Sequence, residues 1–376
     1  MIVELRGVEF VNKGAELMLH AILSELRKHD SNVKVVMRPT PRTPKDKLRA
    51  VNIYIRIRPS RHPLKKALKK FIPSQFYALL GYVRDEEIKV VLDASGFAFG
   101  DQWGAKYAED QLGKHIVEWK KRNKKVILLP QAFGGFHDDE LRKVMVKIID
   151  YADLIFAREP RSFDYLREIS NTPKIKLAPD FTNLINGKVP TNLDTSLEVA
   201  IIPNYKMLEA TQYEKNEYFS FLRNAVTNVR QQGFNPFFLI HEGQKDFKLT
   251  DEANQELKSP IPIIHNPDPL VIKGIIGQTK FIICSRFHGV VSALCQGVPP
   301  IVAGWSHKYE LLLTDYNQSN LLIRDISDKD ELHKAVKMLS HEQTRTAISN
   351  EIKQHAVIQK ELSKAMWQTV FNEIKS

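Results

Sequence analysis

The chain has 376 residues, a hydrophobic content of 43% and a formal net charge of +11. That is long enough for two domains with cores of their own, and no run approaches the ~18–20 apolar residues of a membrane span. Met1 leads straight into strand-like residues without a charged and then apolar leader, and Cys284 and Cys295 both lie in apolar segments. The sequence therefore predicts a cytoplasmic protein with buried free thiols. C-x-x-C, H-E-x-x-H, Walker A and G-x-G-x-x-G motifs are all absent. Metal, ATP and NAD chemistry accordingly start without support.

Strand and helix signals alternate along the chain. Ile2–Val8 reads as a strand. Glu16–Lys28 reads as a helix, with Leu19, Ile22, Leu23 and Leu26 on one face. Val33–Met37 is a second strand. Residues 38–70 then hold twelve Lys and Arg against the single acid Asp46, which equals the net charge of the whole chain. Phe71, Ile72, Phe76, Tyr77, Leu79, Leu80 and Tyr82 follow. Cations followed by aromatic and aliphatic residues suit an anionic membrane surface. A solvated loop followed by ordinary core residues accounts for the same pattern, and no nucleic-acid motif accompanies the charge. Residues 38–83 are read as a basic insertion.

Strands are next expected at Lys89–Leu92, Val126–Leu129, Leu154–Ala157 and Lys174–Ala178. Helices are expected at Tyr107–Lys121, Asp139–Tyr151 and Ser162–Ile169. Residues 186–197 are rich in turn formers and read as a linker. Strand Val199–Ile202 restarts the alternation, with helix Asn216–Gln231 and strand Pro236–His241 after it. The pattern is doubly wound α/β. It predicts two Rossmann-like domains, 1–187 and 188–345, facing a central cleft, and a helical tail over 346–376.

The densest functional signal lies in residues 281–308. The apolar strand Phe281–Cys284 is followed by Arg286, His288 and Gly289. A helix-like stretch runs over Val290–Gln296, Gly297 and Pro299 stop it, and the strand Ile301–Ala303 delivers Lys308. A helix N-terminus favours an anion, Arg286 supplies a forked donor, and His288 can carry a proton near neutral pH. The constellation fits an anionic substrate undergoing proton transfer. His241-Glu242 alone is too little for a metal site, and none is expected.

These residues resemble the polysaccharide pyruvyl transferases, a family similar in fold to two-domain GT-B glycosyltransferases. Asn12-Lys13-Gly14-Ala15-Glu16-Leu17 resembles the family's N-x-G-D-E-A turn, with Ala15 where Asp is common. Asp93-Ala94-Ser95-Gly96 resembles a glycine-rich strand end. Pro130-Gln131-Ala132-Phe133-Gly134 is similar to a G-Q-x-x-G/P turn. Ala157-Arg158-Glu159-Pro160-Arg161-Ser162 resembles A-R-D/E-x-x-S, and Pro179-Asp180 matches P-D. Ser285-Arg286-Phe287-His288-Gly289, Gly297-Val298-Pro299 and Lys308 match the most specific stretch.

The resemblance implies transfer of the three-carbon unit of phosphoenolpyruvate to two hydroxyls of one sugar, in a surface polysaccharide or its lipid-linked precursor. It implies His288 as general acid/base and Arg158, Arg286, Lys308 and Gly289 at the donor. Asn12, Gly14, Gly96, Gln131 and Asp180 would line the acceptor side or the cleft. Phosphoenolpyruvate is then a co-substrate and no cofactor is expected. The expected partners are this donor, a sugar or lipid-linked acceptor and an anionic membrane surface met through 38–83, at the inner face of the membrane. No nucleic acid is expected. The runner-up is a GT-B glycosyltransferase using a nucleotide sugar, with Glu242 or Glu310 as ribose ligands. A non-catalytic glycan- or nucleic-acid-binding protein is the third reading, left open by Ala15 and Ala94-Ser95.

Overall fold

The computed structural model describes residues 1–57, 73–304 and 306–376. The chain divides into two compact units. The first comprises Met1–Val11, Met18–Phe181 and Ser363–Ser376, and the second Asn12–Leu17 and Thr182–Leu362. Among the described residues no helix is long and apolar enough to cross a membrane.

The described residues of the first unit form an eight-stranded parallel sheet. Its strands are β1 (Ile2–Arg6), β2 (Lys34–Met37), β3 (Tyr54–Ile57), β4 (Tyr82–Arg84), β5 (Val90–Asp93), β7 (Lys125–Gln131), β9 (Leu154–Ala157) and β10 (Ile175–Leu177), in the order β10-β9-β7-β5-β1-β2-β3-β4. A small ribbon pairs β6 (Phe99–Gly100) with β8 (Phe133–Gly134). Strands such as Val90–Asp93 and Leu154–Ala157 are buried at every position, as parallel strands covered on both faces must be. The winding direction reverses between β1 and β5, where Leu5 pairs with Leu92 and Arg6 with Asp93. A doubly wound sheet opens a ligand-binding crevice at such a point.

The region read as a basic insertion is in part sheet. β3 lies inside it and β4 begins in it, because the run Ile53–Ile57 alternates buried apolar side chains with Tyr54 and Arg56. Arg56 is not a solvated cation. Its guanidinium lies 2.6 Å from Glu4 Oε1 and 2.6 Å from Asp85 Oδ1. Asp85 also receives Arg122 at 2.9 Å and the buried Lys124 at 3.2 Å. Burial lowers the Lys124 pKa, against the pull of Asp85. Arg58, Arg61, Lys65, Lys66, Lys69, Lys70, Phe71 and Ile72 lie outside the described residues.

The second unit is a five-stranded parallel sheet of β11 (Val199–Ile202), β12 (Pro236–Ile240), β13 (Ile263–His265), β14 (Phe281–Cys284) and β15 (Pro300–Val302), ordered β13-β12-β11-β14-β15. Its reversal falls between β11 and β14. Helix Lys215–Gln231 buries Tyr218, Phe221, Leu222, Val226 and Val229 in one core. Helices Pro269–Ile276 and Phe287–Leu294 contribute Ile272, Ile276, Val290 and Leu294 to another.

The expected domain boundaries shift. The division falls between Phe181 and Thr182 rather than at Gly187, because the supposed linker is packed. Lys188 N–H donates to Leu270 O at 2.8 Å, and a Cβ on Gly274 would stand 2.1 Å from Lys188 O. The buried Lys273 ammonium donates to Thr182 O at 2.7 Å. Nor is 346–376 a separate tail. Helix Glu342–Lys375 starts in the second unit and ends in the first, where Phe371 stacks on His29 at 3.9 Å and Trp367 meets Phe181 edge-on at 5.9 Å. Trp367 is 2% exposed. Trp367→Ala should therefore destabilise the first unit by about 3–5 kcal/mol. Chemical denaturation followed by circular dichroism checks this, with a lowered midpoint expected.

Candidate active site

In the second unit, the all-buried strand β14 is followed by Ser285 and Arg286, and Arg286 is the extended N-cap of helix Phe287–Leu294. This turn is pinned from two sides. The Ser285 carbonyl accepts the Asn204 side-chain amide at 2.7 Å and the Tyr309 hydroxyl at 2.9 Å. Asn204 follows β11 across the reversal point, and its N–H donates to the Tyr218 hydroxyl at 3.0 Å.

Arg286 is held more firmly still. Its guanidinium pairs with Glu242, just after β12, and with Asp246, on helix Gln244–Gln255. Burial lowers the Arg286 pKa, but the two carboxylates outweigh it and the net shift is upward. Burial also raises Asp246, against the opposing pull of Arg286. Tyr205 N–H donates to the same Asp246 oxygen at 2.9 Å. The arginine predicted to grip a ligand is thus itself gripped, between two carboxylates.

His288 follows in the first turn of the helix and is half-buried. Gly14, in the same compact unit, lies against its ring. A Cβ on residue 14 would stand 2.2 Å from His288 Nδ1. Asn12 caps the turn that brings Gly14 there, accepting Ala15 N–H at 3.0 Å. The Asn12-Lys13-Gly14 motif and the Arg286-Phe287-His288 motif therefore meet, and glycine is required by the approach of the imidazole. Gly289 serves packing, since a Cβ there would lie 2.8 Å from Cys284 Sγ. Lys308 opens helix Lys308–Thr314 with its ammonium 5.2 Å from the Phe287 ring centroid.

Several neighbours are locked in neutral form. Burial, with Arg286 and His288 beside it, depresses His241 to about 3. Burial pushes the Cys284 thiol up to about 12 and raises Tyr218 and Tyr309. Cys284 is no nucleophile at such a value. Sequence reasoning had no signal for Asn204, Tyr218, Asp246 or Tyr309. Asp246 is one acid among several on an amphipathic helix.

The other predicted residues lie in the first unit, at the C-terminal ends of four adjacent strands. Asp93 ends β5 and accepts Gln131 Nε2 at 3.1 Å and the Ser95 hydroxyl at 3.0 Å. Burial raises its pKa. Gly96 takes φ +72 and its carbonyl accepts Ala132 N–H at 2.9 Å. Arg158 follows β9 and pairs with Asp180, after β10, at 3.1 Å with both side chains buried. Gln131 Oε1 is buried without a hydrogen-bond partner among the described residues. Among those residues no group of three or more His, Cys, Asp or Glu has metal-site geometry.

Two doubly wound units, with polar residues at the carboxyl ends of their strands, define a GT-B-like protein. Solved structures agree on the fold. HepE of Anabaena with UDP and glucose superposes with a TM-score of 0.59 at 11% identity, covering 100% of this chain and 99% of that one. UDP-GlcNAc 2-epimerase of Neisseria meningitidis bound to UDP-GlcNAc gives 0.59 at 14% identity, covering 99% of each. MurG of Acinetobacter baumannii gives 0.52 at 12% identity, again covering 99% of each. No curated protein matches in sequence. A profile of the polysaccharide pyruvyl transferase family matches residues 12–307, well over half of the chain. The chain belongs to that family and is a transferase.

His241 sets a pH dependence. Its folded pKa of about 3 lies below the unfolded 6.5, so its contribution is complete above 6.5 and is lost as pH falls. At pH 5 the loss is about 2 kcal/mol. His115, depressed to about 4 by burial and Arg6, acts in the same window. Denaturation at pH 7.5 and pH 5 should show a smaller pH difference for His241→Asn than for wild type.

Proposed function

We propose that this enzyme transfers the pyruvyl unit of phosphoenolpyruvate to two hydroxyls of one sugar, in a surface polysaccharide or its lipid-linked precursor, with His288 as general acid/base. The observation that carries this reading is the seating of His288 against Gly14, at the start of a helix next to the β11/β14 reversal. The enol phosphate takes a proton at its methylene carbon, and the oxocarbenium-like centre accepts the oxygen of the first hydroxyl, whose proton is released. The bond to the phosphate oxygen then breaks as the second hydroxyl oxygen adds, and its proton leaves with phosphate. One acid/base can serve both additions. The helix N-terminus, Lys308 and Arg286 are the proposed partners of the donor's carboxylate and phosphate in the second unit. With cations and backbone N–H groups in that role, no metal or other cofactor is required.

The proteins of similar fold named above with UDP or UDP-sugars favour one competing donor, a nucleotide sugar. Thermal unfolding separates the two. Phosphoenolpyruvate should raise the midpoint, and stabilisation by nucleotide sugars alone would favour the competitor. His288→Ala should fold normally and lose turnover on the order of 10²–10⁴-fold. Near-normal turnover in that variant would remove His288 from the mechanism.

The acceptor in this reading is presented at the inner face of a membrane, and the enzyme binds there peripherally. Helix Ser74–Leu79 buries none of its side chains, and Leu79 is 85% exposed beside Phe76 and Leu80. The sequence places Lys65, Lys66, Lys69 and Lys70 just before it. Each cation near an anionic surface contributes about 1 kcal/mol. Co-sedimentation should show salt-sensitive binding to anionic vesicles and little to neutral ones. Replacing the four lysines with Gln should weaken it and spare turnover on a soluble acceptor. Equal binding by that variant would end the membrane reading.

A further inference from the structure

The segment after β5 and β6 carries an exposed aromatic pair that no core claims. Trp103 is 47% and Tyr107 42% exposed, and their ring centroids lie 5.7 Å apart. The structure presents this pair by deliberate backbone departures. Gly104, between the two, takes φ +74, and nothing lies within 4 Å of where its Cβ would be. The positive φ therefore answers no packing demand and serves the chain's direction. Helix Gly104–Ala108 then passes through a π-helical stretch, Glu109–Gly113, before helix Lys114–Lys121 resumes. π-Stretches are rare and occur frequently at functional sites.

This one is braced. The Glu109 carboxylate fills the space over Gly113, where a Cβ would meet it at 2.1 Å, and Lys147 holds Glu109 at 2.7 Å. Downstream the helix is anchored in the core, with Trp119 buried, His115 stacked on it at 5.4 Å and Arg6 over its ring at 5.2 Å. Asp101 braces the same loop, 2.6 Å from His137 and accepting the N–H groups of His137 and Asp138.

The surroundings of Tyr107 are polar. Its pKa is raised, first by burial and then by Asp93, and Arg42, Glu9 and Gln111 also act on it. Asp93 ends β5 at the β1/β5 reversal. Arg42 and Glu9 follow β2 and β1 and pair at 2.5 Å. The chain that leaves the carboxyl ends of β5 and β6 thus carries the aromatic pair, with Gln111, Arg42 and Glu9 acting on Tyr107. A pyranose has an apolar C–H face and a rim of hydroxyls. The face matches flat rings that are otherwise left in water, and the rim matches the Tyr107 hydroxyl, the Gln111 amide and the Arg42–Glu9 pair.

We infer that Trp103 and Tyr107 are the stacking platform for a pyranose ring of the acceptor glycan, with Gln111 and Arg42 at its rim. The inference rests on the acceptor being a glycan, and its test is independent of the donor. Saturation-transfer difference NMR is run without phosphoenolpyruvate, on methyl glycosides of glucose, galactose, mannose and their 2-acetamido forms. At least one should receive saturation, strongest on the ring C–H protons of one face. Trp103→Ala and Tyr107→Ala should each cut the signal about tenfold, and Trp103→Phe should retain most of it. Both alanine variants remove exposed side chains, so their unfolding midpoints should match wild type, as should the midpoint shift on adding phosphoenolpyruvate. Absence of transfer to any glycoside in wild type, or transfer that persists in both alanine variants, overturns the platform. Glycoside signal that depends on Trp103, with no response to phosphoenolpyruvate, keeps the platform and sinks the donor assignment instead.

Discussion

The candidate centre depends on a buried cation shared between two carboxylates. Arg286 ends the β14 turn, and Glu242 and Asp246 reach it from beyond β12 and from the next helix. Taking such charges out of water is costly, and removing one partner leaves an uncompensated charge worth about 3–5 kcal/mol. The arrangement therefore fixes three chain segments relative to one another at the carboxyl edge of the second sheet. His288 sits two residues beyond Arg286 and inherits that fixity. The Ser285 carbonyl, held by Asn204 and Tyr309, adds two further restraints on the same turn.

The bonding of Arg286 also changes what it can do for a ligand. A guanidinium already facing two carboxylates carries no local surplus of positive charge. What the two ion pairs fix is the geometry of the helix start that Arg286 caps. In the first unit Arg158 is likewise paired, with Asp180. Both sequence-conspicuous arginines thus have acidic partners inside their own units.

Much of this was legible in the sequence, for reasons particular to each element. Leu154–Ala157 and Phe281–Cys284 read as strands because parallel strands buried on both faces are continuous apolar runs. Helix Asp139–Tyr151 was legible to the residue, since Asp138 caps it and its buried positions repeat at helical spacing. β3 was not, because Arg56 reads as one more cation of the basic run, and the acids that neutralise it, Glu4 and Asp85, are remote in sequence. The π-helical stretch left no periodicity to find. Residues 186–197 read as a linker because turn formers look the same whether they pack or not, and the close contact of Gly187 with Gly274 is invisible in composition. At the site, His288 and Gly14 were each legible as motif residues. That one explains the other required coordinates.

Burial fixes the charge state of several ionisable groups around the helix start. His241, Cys284, Tyr218 and Tyr309 are all buried, and burial drives each toward its neutral form across the physiological range. None of them can exchange a proton with a substrate near pH 7 without the cost of creating a buried charge. His288 is half-buried, in the first turn of the helix, and stands against Gly14 with the Phe287 ring edge-on at 5.5 Å. Its two neighbours on the helix, Phe287 and Gly289, are spent on the core. Phe287 packs edge-on against Tyr309, and Gly289 makes room for Cys284. The short run Ser285–Gly289 thus divides its duties residue by residue. Ser285 locks the strand end, Arg286 binds the surrounding elements, Phe287 and Gly289 seat the helix, and His288 lies against Gly14.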